Sequence, residues 1–260
     1  RRHSFPTRRS SDLRDKAPKA IAEELAKEHG IKIDGAGAAK AREVFRLNPG
    51  ETVFDAIERL ARRDGFNFTD TPDGNLHLFD KPDENHAGQL IEGRDFESGS
   101  ADFDSSKRFK KTEVKGQSPI GHDADNLQIQ VEVEDESGAR NRRKVIVAPE
   151  FLRKQDAKKR AQHHRDRAAG RGITCEFTLS RWRDDAGEFW APRKLVYIES
   201  PLLGVSQMMM LESVILKQGE RDGTTAETSW VDPRAYGGKA GKGGKSGKAI
   251  AMKGTGGDDE

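Results

Sequence analysis

Alternation of apolar and polar residues with a period of two dominates the second half of the chain and constrains its fold more than any other feature. Residues 127–134 read LQIQVEVE, and residues 173–179 read ITCEFTL. Successive side chains of a β-strand point to opposite faces, so each segment predicts a strand with one buried and one solvated face. Further strands are predicted at 144–147, 195–198, 208–216 and 224–231, with a hairpin turn at 184–187. This spacing predicts an antiparallel, barrel-like or sandwich domain over residues 89–236.

The first part of the chain has helical periodicity instead. Residues 20–29 place apolar side chains three and four positions apart, which predicts a short amphipathic helix. A second helix is predicted at 53–63, where Thr52 can cap the first turn and Gly65 can end the last one.

Residues 66–78 alternate on both sides of the turn sequence DTPDG, which predicts a β-hairpin after the second helix. The fold class is therefore predicted as α+β, mainly β. We expect a small helix-hairpin domain at 14–80, a polar linker at 81–88, and the barrel-like domain after it.

Residues 3–13 read HSFPTRRSSDL, which is the translation of one reading frame of a common sequencing adapter. We therefore interpret residues 1–13 as an artefact that takes no part in the fold. The natural protein is then expected to begin upstream, so that this chain is an N-terminally truncated fragment.

Net charge excludes a generally basic protein. The chain has 46 Lys and Arg against 44 Asp and Glu, but residues 1–13 contribute four Arg and one Asp. The remainder has 42 against 43, a net charge of −1, so only local clusters can attract nucleic acid. Cys175 is the only cysteine, which excludes an intramolecular disulfide and favours folding in the cytosol. No apolar run is long enough to span a membrane.

The strongest basic cluster lies on a predicted helix at 153–171, which also contains four alanines. We interpret it as an intersubunit or tube-facing surface rather than a DNA-binding one, because no aromatic side chains are interleaved to stack on bases. Its basic residues are Arg153, Lys154, Lys158, Lys159, Arg160, Arg165, Arg167 and Arg171.

Other candidate sites are weaker. Gly244-Lys245-Ser246 is similar to the end of a phosphate-binding loop, but Lys239 stands where that loop needs its first glycine. Residues 237–260 are instead predicted to be a disordered Gly/Lys tail. His163 and His164 are adjacent on the helix, so they diverge and predict a solvent-facing pair rather than a metal site. Cys175 is predicted to be a buried thiol.

Carboxylates and methionines offer no better site. The acidic residues considered for a catalytic pair are Asp102, Asp104, Glu113, Asp184 and Asp185. They are predicted to lie in turns or on solvated strand faces. The three methionines at 208–210 are predicted to be packing residues. No catalytic, metal-binding or cofactor-binding residue is predicted, and the chain is not expected to be an enzyme.

Several separated segments, in the same order, resemble one family. They are LIEGR at 90–94, RFKKTEVKGQ at 108–117, the basic helix, and residues 178–236. The last segment matches the pattern of that family at Trp190, Pro192, Pro201, Leu203, Gly204, Gly223, Thr224, Asp232, Pro233, Ala235 and Tyr236. Together they resemble the Mu-type phage tail baseplate hub proteins, which are T4-hub-like or late control D-like. The helix-hairpin unit resembles the middle domain of that family, and the first barrel domain of the family has no counterpart here.

The resemblance implies a virion structural protein of a contractile phage or Mu-like prophage tail, assembled in the bacterial cytoplasm. It implies a homotrimeric ring that joins the tail tube to the central spike. Tape-measure protein and DNA would pass through its lumen, without a membrane or cofactor. Two alternatives stay open: a DNA-binding protein that uses the basic helix at 153–171, and a spike component of a phage-derived secretion or injection device.

Overall fold

The computed structural model describes residues 13, 15–35, 45–48, 50–117, 128–136, 141–148, 153–219 and 223–240. The chain divides into two compact units, residues 1–80 and 81–260. The described part is mixed α and β, mainly sheet, with three α-helices and one 3-10 helix. Predictions for the rest of the adapter-like string, Leu127, the turn at 137–138 and residues 241–260 lie outside the described residues.

The first unit contains two helices and a three-stranded sheet. Its elements are α1 (Pro18–Lys27), β1 (Ile33–Gly35), α2 (Val53–Asp64), β2 (Asn67–Asp70) and β3 (Leu76–Phe79). The sheet order is β1-β3-β2; β2 pairs antiparallel with β3, whereas β1 pairs parallel with it. Alternation did not predict β1, because three residues are too few to establish a period.

The ends of α2 lie where the sequence predicted them. The Thr52 side chain accepts a hydrogen bond from the backbone N–H of Asp55, and the Asp55 side chain accepts one from the N–H of Thr52. Gly65 then ends the helix at φ 77°, a left-handed conformation that glycine adopts without steric cost. The core between the helices and the sheet includes Ile21, Ala22, Ile57, Leu60, Phe66 and Leu78. Leu13, the last residue of the adapter-like string, is also buried there.

The second unit contains nine strands and one α-helix among the described residues. The strands are β4 (Asn85–Ile91), β5 (Phe96–Phe103), β6 (Lys111–Gly116), β7 (Ile129–Glu134), β8 (Arg143–Val147), β9 (Ile173–Leu179), β10 (Leu195–Ser200), β11 (Val205–Gly219) and β12 (Gly223–Val231). The helix α3 (Lys154–Gly170) precedes β9, and a 3-10 helix (Pro233–Tyr236) follows β12.

These strands form two sheets. The six-stranded sheet has the order β4-β10-β11-β12-β9-β5, and the three-stranded sheet has the order β7-β6-β8. The larger sheet buries a core that includes Leu90, Phe177, Trp190, Ile198, Met209 and Trp230. The smaller sheet buries Val114 and Ile129 beneath the alanines of α3.

The barrel-like prediction is wrong for the described residues, because the six-stranded sheet is not closed. Its edge strands β4 and β5 follow each other in the chain but do not pair, and an isolated bridge joins Glu92, just after β4, to Phe96. The sheets are also not wholly antiparallel, since β4 runs parallel to β10 and β8 parallel to β6. Alternation indicates which face of a strand is buried, and that signal is the same for an open and a closed sheet.

The end of the predicted linker is also wrong, because β4 begins at Asn85. Residues 85–88 are polar or small, so they give no apolar alternation. They pair with β10 because His86 is buried and bonded within the unit. The hairpin turn predicted at 184–187 is confirmed, since Trp190 donates its backbone N–H to Trp182 O at 3.0 Å.

Candidate interaction surface of the basic helix

The alanines of α3 fix its orientation on the second unit. Ala157 and Ala161 are fully buried against the three-stranded sheet. At the other end of the helix, Gly170 approaches the 3-10 helix so closely that a Cβ there would lie 2.0 Å from Ala235 N. Much of the alanine face therefore packs within the chain, against the three-stranded sheet and the 3-10 helix.

The basic side chains divide into an outward set and a partly buried set. Five are exposed: Arg153, Lys154, Lys158, Lys159 and Arg167. Three are partly buried: Arg160, Arg165 and Arg171. Within the described part of the chain, Lys154, Lys158, Lys159 and Arg167 form no salt bridge.

Two of the partly buried arginines hold the helix in place. Arg165 pairs with Asp166 at 2.7 Å and donates to the backbone carbonyl of Glu134 on β7. Arg171 pairs with Glu212 on β11 at 2.7 Å and donates to the Tyr236 hydroxyl at 2.6 Å. These contacts leave Lys154, Lys158, Lys159 and Arg167 as the part of the predicted surface that is exposed without a salt bridge to a described residue.

The two adjacent histidines are not the solvent-facing pair that the sequence predicted. Both are partly buried, and the Nε2 atom of His163 is buried with no hydrogen-bond partner among the described residues. Burial lowers the pKa of both imidazoles, that of His164 to about 4, where the nearby charges of Lys144, Arg167 and Arg160 contribute. Both imidazoles are therefore neutral near pH 7, and α3 presents lysine and arginine charges only.

The carboxylates considered for a catalytic pair are not brought together. Asp102 and Asp104 lie at the end of β5, and Asp104 accepts hydrogen bonds from Ser106. Glu113 is buried on β6 beside Arg143. Over the described residues, no group of three His, Cys, Asp or Glu side chains could hold a metal ion.

Cys175 and the methionines occupy the packing positions that the sequence predicted. The Cys175 thiol is buried in the main core, and burial raises its pKa to about 12. Met209 packs in the same core, whereas Met210 packs in a second cluster with Val231 and Ala235. A thiol with that pKa is protonated at neutral pH, so it is a poor nucleophile.

Asp184 carries the most elaborate polar arrangement of the unit, although sequence patterns indicated only a turn there. Its Oδ2 accepts hydrogen bonds from His86 Nδ1 at 2.9 Å and from the backbone N–H of Ala87 at 3.1 Å. Its Oδ1 accepts the N–H groups of Ala186 and Glu188 at 3.0 Å. Burial alone would raise the pKa of the carboxyl, but these hydrogen bonds outweigh it and lower the pKa.

The position of this arrangement explains its role. His86 lies on β4, 98 residues before Asp184, and its ring packs edge-on against Trp190 at 4.8 Å. The pair therefore attaches the edge strand to the hairpin of residues 182–190. The hydrogen bonds of Asp184 join residues 98 positions apart in the chain, which is the geometry of a structural link.

Asp232 forms a second buried link at the end of the sheet. It is fully buried and accepts three hydrogen bonds from Arg234: the backbone N–H at 2.9 Å, Nε at 3.0 Å and Nη2 at 3.0 Å. Burial tends to lower the pKa of Arg234, but Asp232 raises it overall. The bonds start the 3-10 helix on which α3 rests.

Two models of protein families match the chain, one in each unit. Residues 6–80 match the second domain of gp44-like baseplate hub proteins. Residues 153–238 match the fourth domain of the Mu phage baseplate assembly protein GpP. The chain belongs to the Mu-type baseplate hub proteins. The first match begins inside the adapter-like string, and the second contains α3, the long strand β11 and the 3-10 helix.

Individual proteins are also similar to this chain. The baseplate hub protein gp44 of Escherichia phage Mu is 25% identical over 221 residues, which cover 80% of this chain and 58% of that protein. The 43 kDa tail protein of prophage MuSo2 from Shewanella oneidensis has a TM-score of 0.76 and 25% identity, covering 90% of this chain and 70% of that one. A tail protein from Neisseria meningitidis MC58 shares the fold with a TM-score of 0.73 and 20% identity, covering 89% and 72%.

As a Mu-type hub protein, the chain is a component of a phage tail baseplate. It spans 58% of the length of its curated Mu relative. No described helix is long and apolar enough to cross a membrane.

Proposed function

We propose that this chain contributes to a baseplate hub ring of three copies that joins the tail tube to the central spike. The matches to hub domains in both units, in chain order, carry the proposal. The ring would leave an open lumen for tape-measure protein and DNA, and would assemble in the cytoplasm of the bacterial host. Its function would then lie in surfaces rather than in a catalytic site.

The exposed charges of α3 form the surface that we propose faces a neighbouring subunit or the tail tube. Lys154, Lys158, Lys159 and Arg167 are exposed without a salt bridge to a described residue, so an acidic partner surface would gain new ion pairs. The interaction would weaken with salt, because exposed charges are screened beyond about 10 Å at 0.1 M ionic strength.

The test is co-expression of the full chain with the tube and spike proteins encoded in the same phage genome. We expect a complex with three copies of the chain by native mass spectrometry. The double variant Lys158→Glu/Lys159→Glu should reduce recovery of one partner or of the trimer at low salt. Lys27→Glu, which changes an exposed lysine in the last turn of α1 in the first unit, is the control.

Failure to recover tube or spike protein with the unmodified chain would contradict the joining role. Equal recovery with the double variant and the control would contradict only the assignment of α3 as the contact. The joining role and the assignment of α3 are therefore tested independently, because a ring could join tube and spike through a different surface of the chain.

Neither alternative function is favoured. The basic helix belongs to the segment that matches the GpP fourth domain. Without the adapter-like residues the chain has a net charge of −1, with 42 basic and 43 acidic side chains. The first unit matches a hub domain, which does not favour a spike component.

We also propose that residues 14–80 and the region from β4 to residue 236 act as separate domains. The division of the chain into compact units after Asp80 supports a boundary there. Limited proteolysis should cut first between Asp80 and Asn85, and preferential cutting elsewhere in the described residues would contradict the boundary.

A further inference from the structure

Strand β11 extends beyond the rest of its sheet and forms an arm with β12. Strand β10 pairs with β11 only as far as Met210, and β9 pairs with β12 only from Ala226 onwards. We call residues 212–219 of β11, together with 223–225 of β12, the arm. Residues 217–219 pair with 223–225, whereas 213–216 pair with 226–229, the part of β12 that also pairs with β9. Only the tip of the arm is a two-stranded ribbon, which is marginally stable in water on its own. Among the described residues no strand pairs with the other edge of β11 over 212–219, so that edge is open.

The arm carries apolar side chains on both faces. Ile215 is 57% exposed on one face, and Leu216 is 39% exposed on the other. Ser213 and Lys217 flank Ile215 on its face, and both are exposed. An open strand edge with exposed apolar residues is the arrangement that promotes pairing with another strand.

Among the residues that the structure describes, strand β8 presents a second open edge on the same unit. It pairs with β6 on one side and is the last strand of its sheet. Val147 is 71% exposed and Val145 is 47% exposed, on the side of the sheet away from α3. Ile146 points to the other side and packs against the core beneath the helix.

The two edges fit each other in one antiparallel register. In that register Val147 lies opposite Ile215 on the exposed face, and Ile146 lies opposite Leu216 on the other face. Sliding the strands by two residues places Lys217 opposite either Val147 or Arg143, which loses an apolar pair or opposes two positive charges. Sliding by one residue exchanges the faces.

We infer that the β11 arm of one copy of this chain adds to the β8 edge of a second copy. The inference rests on the proposed ring, and it names the surfaces through which the copies meet. Two different surfaces make a head-to-tail contact, which closes into a ring when the rotation between copies permits. A second copy is the occupant because the chain itself provides both complementary edges.

The test uses the full chain in size-exclusion chromatography with light scattering. Ile215→Glu and Val147→Glu each place a carboxylate in the proposed contact and should weaken association at least about a hundredfold. Ile215→Thr and Val147→Thr keep β-branching and should weaken it less. Leu202→Glu is the matched control, since Leu202 is 84% exposed in the turn between β10 and β11. Circular dichroism melts should be unchanged, because all three positions are exposed.

Mixing the two glutamate variants distinguishes a head-to-tail contact from a symmetric one. The Val147→Glu chain keeps a normal arm, and the Ile215→Glu chain keeps a normal β8 edge. Their mixture should form a species of two chains of 28.8 kDa each, although each variant alone is monomeric. A symmetric contact between two arms would give no such species.

Three results would overturn the inference. If both glutamate variants remain trimers like the unmodified chain, the ring stands but these edges do not form it. If the variants are monomers whose mixture stays monomeric, the contact is not arm to β8. If the unmodified chain is monomeric at every concentration, self-association of this chain fails, and the ring proposal fails with it.

Discussion

Replacing Asp184 with alanine should destabilise the second unit far more than replacing its neighbour Asp185. The Asp184 carboxylate accepts four hydrogen bonds, one from the buried His86 ring and three from backbone N–H groups. A hydrogen bond to a charged group contributes about 1.5–3 kcal/mol. The donors at Ala186 and Glu188 lie in a surface turn where water can replace the acceptor, so we count mainly the other two.

The expected loss is therefore about 3–4 kcal/mol in the free energy of unfolding. Asp184→Asn should also be costly. Nε2 of His86 accepts the backbone N–H of Ala191, so Nδ1 of the same ring carries the proton. An asparagine NH2 group in the place of Asp184 Oδ2 would then face two donors, His86 Nδ1 and the backbone N–H of Ala87. Asp185→Ala removes an exposed ion pair with Arg181 and should cost under about 1 kcal/mol.

Urea unfolding followed by tryptophan fluorescence measures the difference, since Trp190 packs on the His86 ring. The midpoint for Asp184→Ala should fall well below that for Asp185→Ala. Equal midpoints for the two variants would refute the conclusion that the His86–Asp184 link holds β4 to the sheet.

Three further predictions concern α3 and the core. Folding lowers the pKa of His164 from 6.5 to about 4, so between these pH values the unfolded chain binds more protons than the folded one. The free energy of unfolding should therefore decrease as pH falls through that window, by about 1–2 kcal/mol after allowance for partial exposure. His164→Gln should flatten this part of the pH profile, and an unchanged slope would contradict the burial of His164. Gly170→Ala should lower the melting temperature by several degrees, because the new Cβ would lie 2.0 Å from Ala235 N. Gly187→Ala is the control: its new Cβ would meet no atom within 4 Å, and its φ of 81° should cost only about 1 kcal/mol of backbone strain. Cys175 should react with a thiol reagent only on unfolding, and rapid labelling of the folded chain would show that its buried position is wrong.

The sequence predicted elements more successfully than their assembly. Alternation found β9 because every second side chain, from Ile173 to Leu179, enters one core. It did not find β4, whose polar residues are held by hydrogen bonds to a side chain 98 positions later. The alternation pattern also could not predict whether the sheet closes, because the two edge strands have the same alternation whether or not they pair.

The candidate surface shows the same limit. Counting charges on the predicted helix identified all eight basic residues, but the sequence could not tell which of them would be used internally. Arg171 is held by Glu212, which lies 41 positions later on another strand. The prediction that His163 and His164 face solvent was wrong for a related reason. Their burial depends on how α3, a helix of low amphipathicity, packs on the sheet with its alanines.

Measuring thermal stability together with assembly should distinguish variants that unfold the unit from variants that disrupt only its contacts. Asp184 joins segments that are distant in sequence, and Asp232 starts the 3-10 helix on which α3 rests, so substitutions there should reduce assembly by unfolding the unit. Ile215 and Val147 are exposed, so substitutions there should reduce assembly without changing the melting temperature. A set of variants measured for both properties should therefore form two groups. A variant at Asp184 that lost assembly at full thermal stability would show that its carboxylate has a role beyond the structural link.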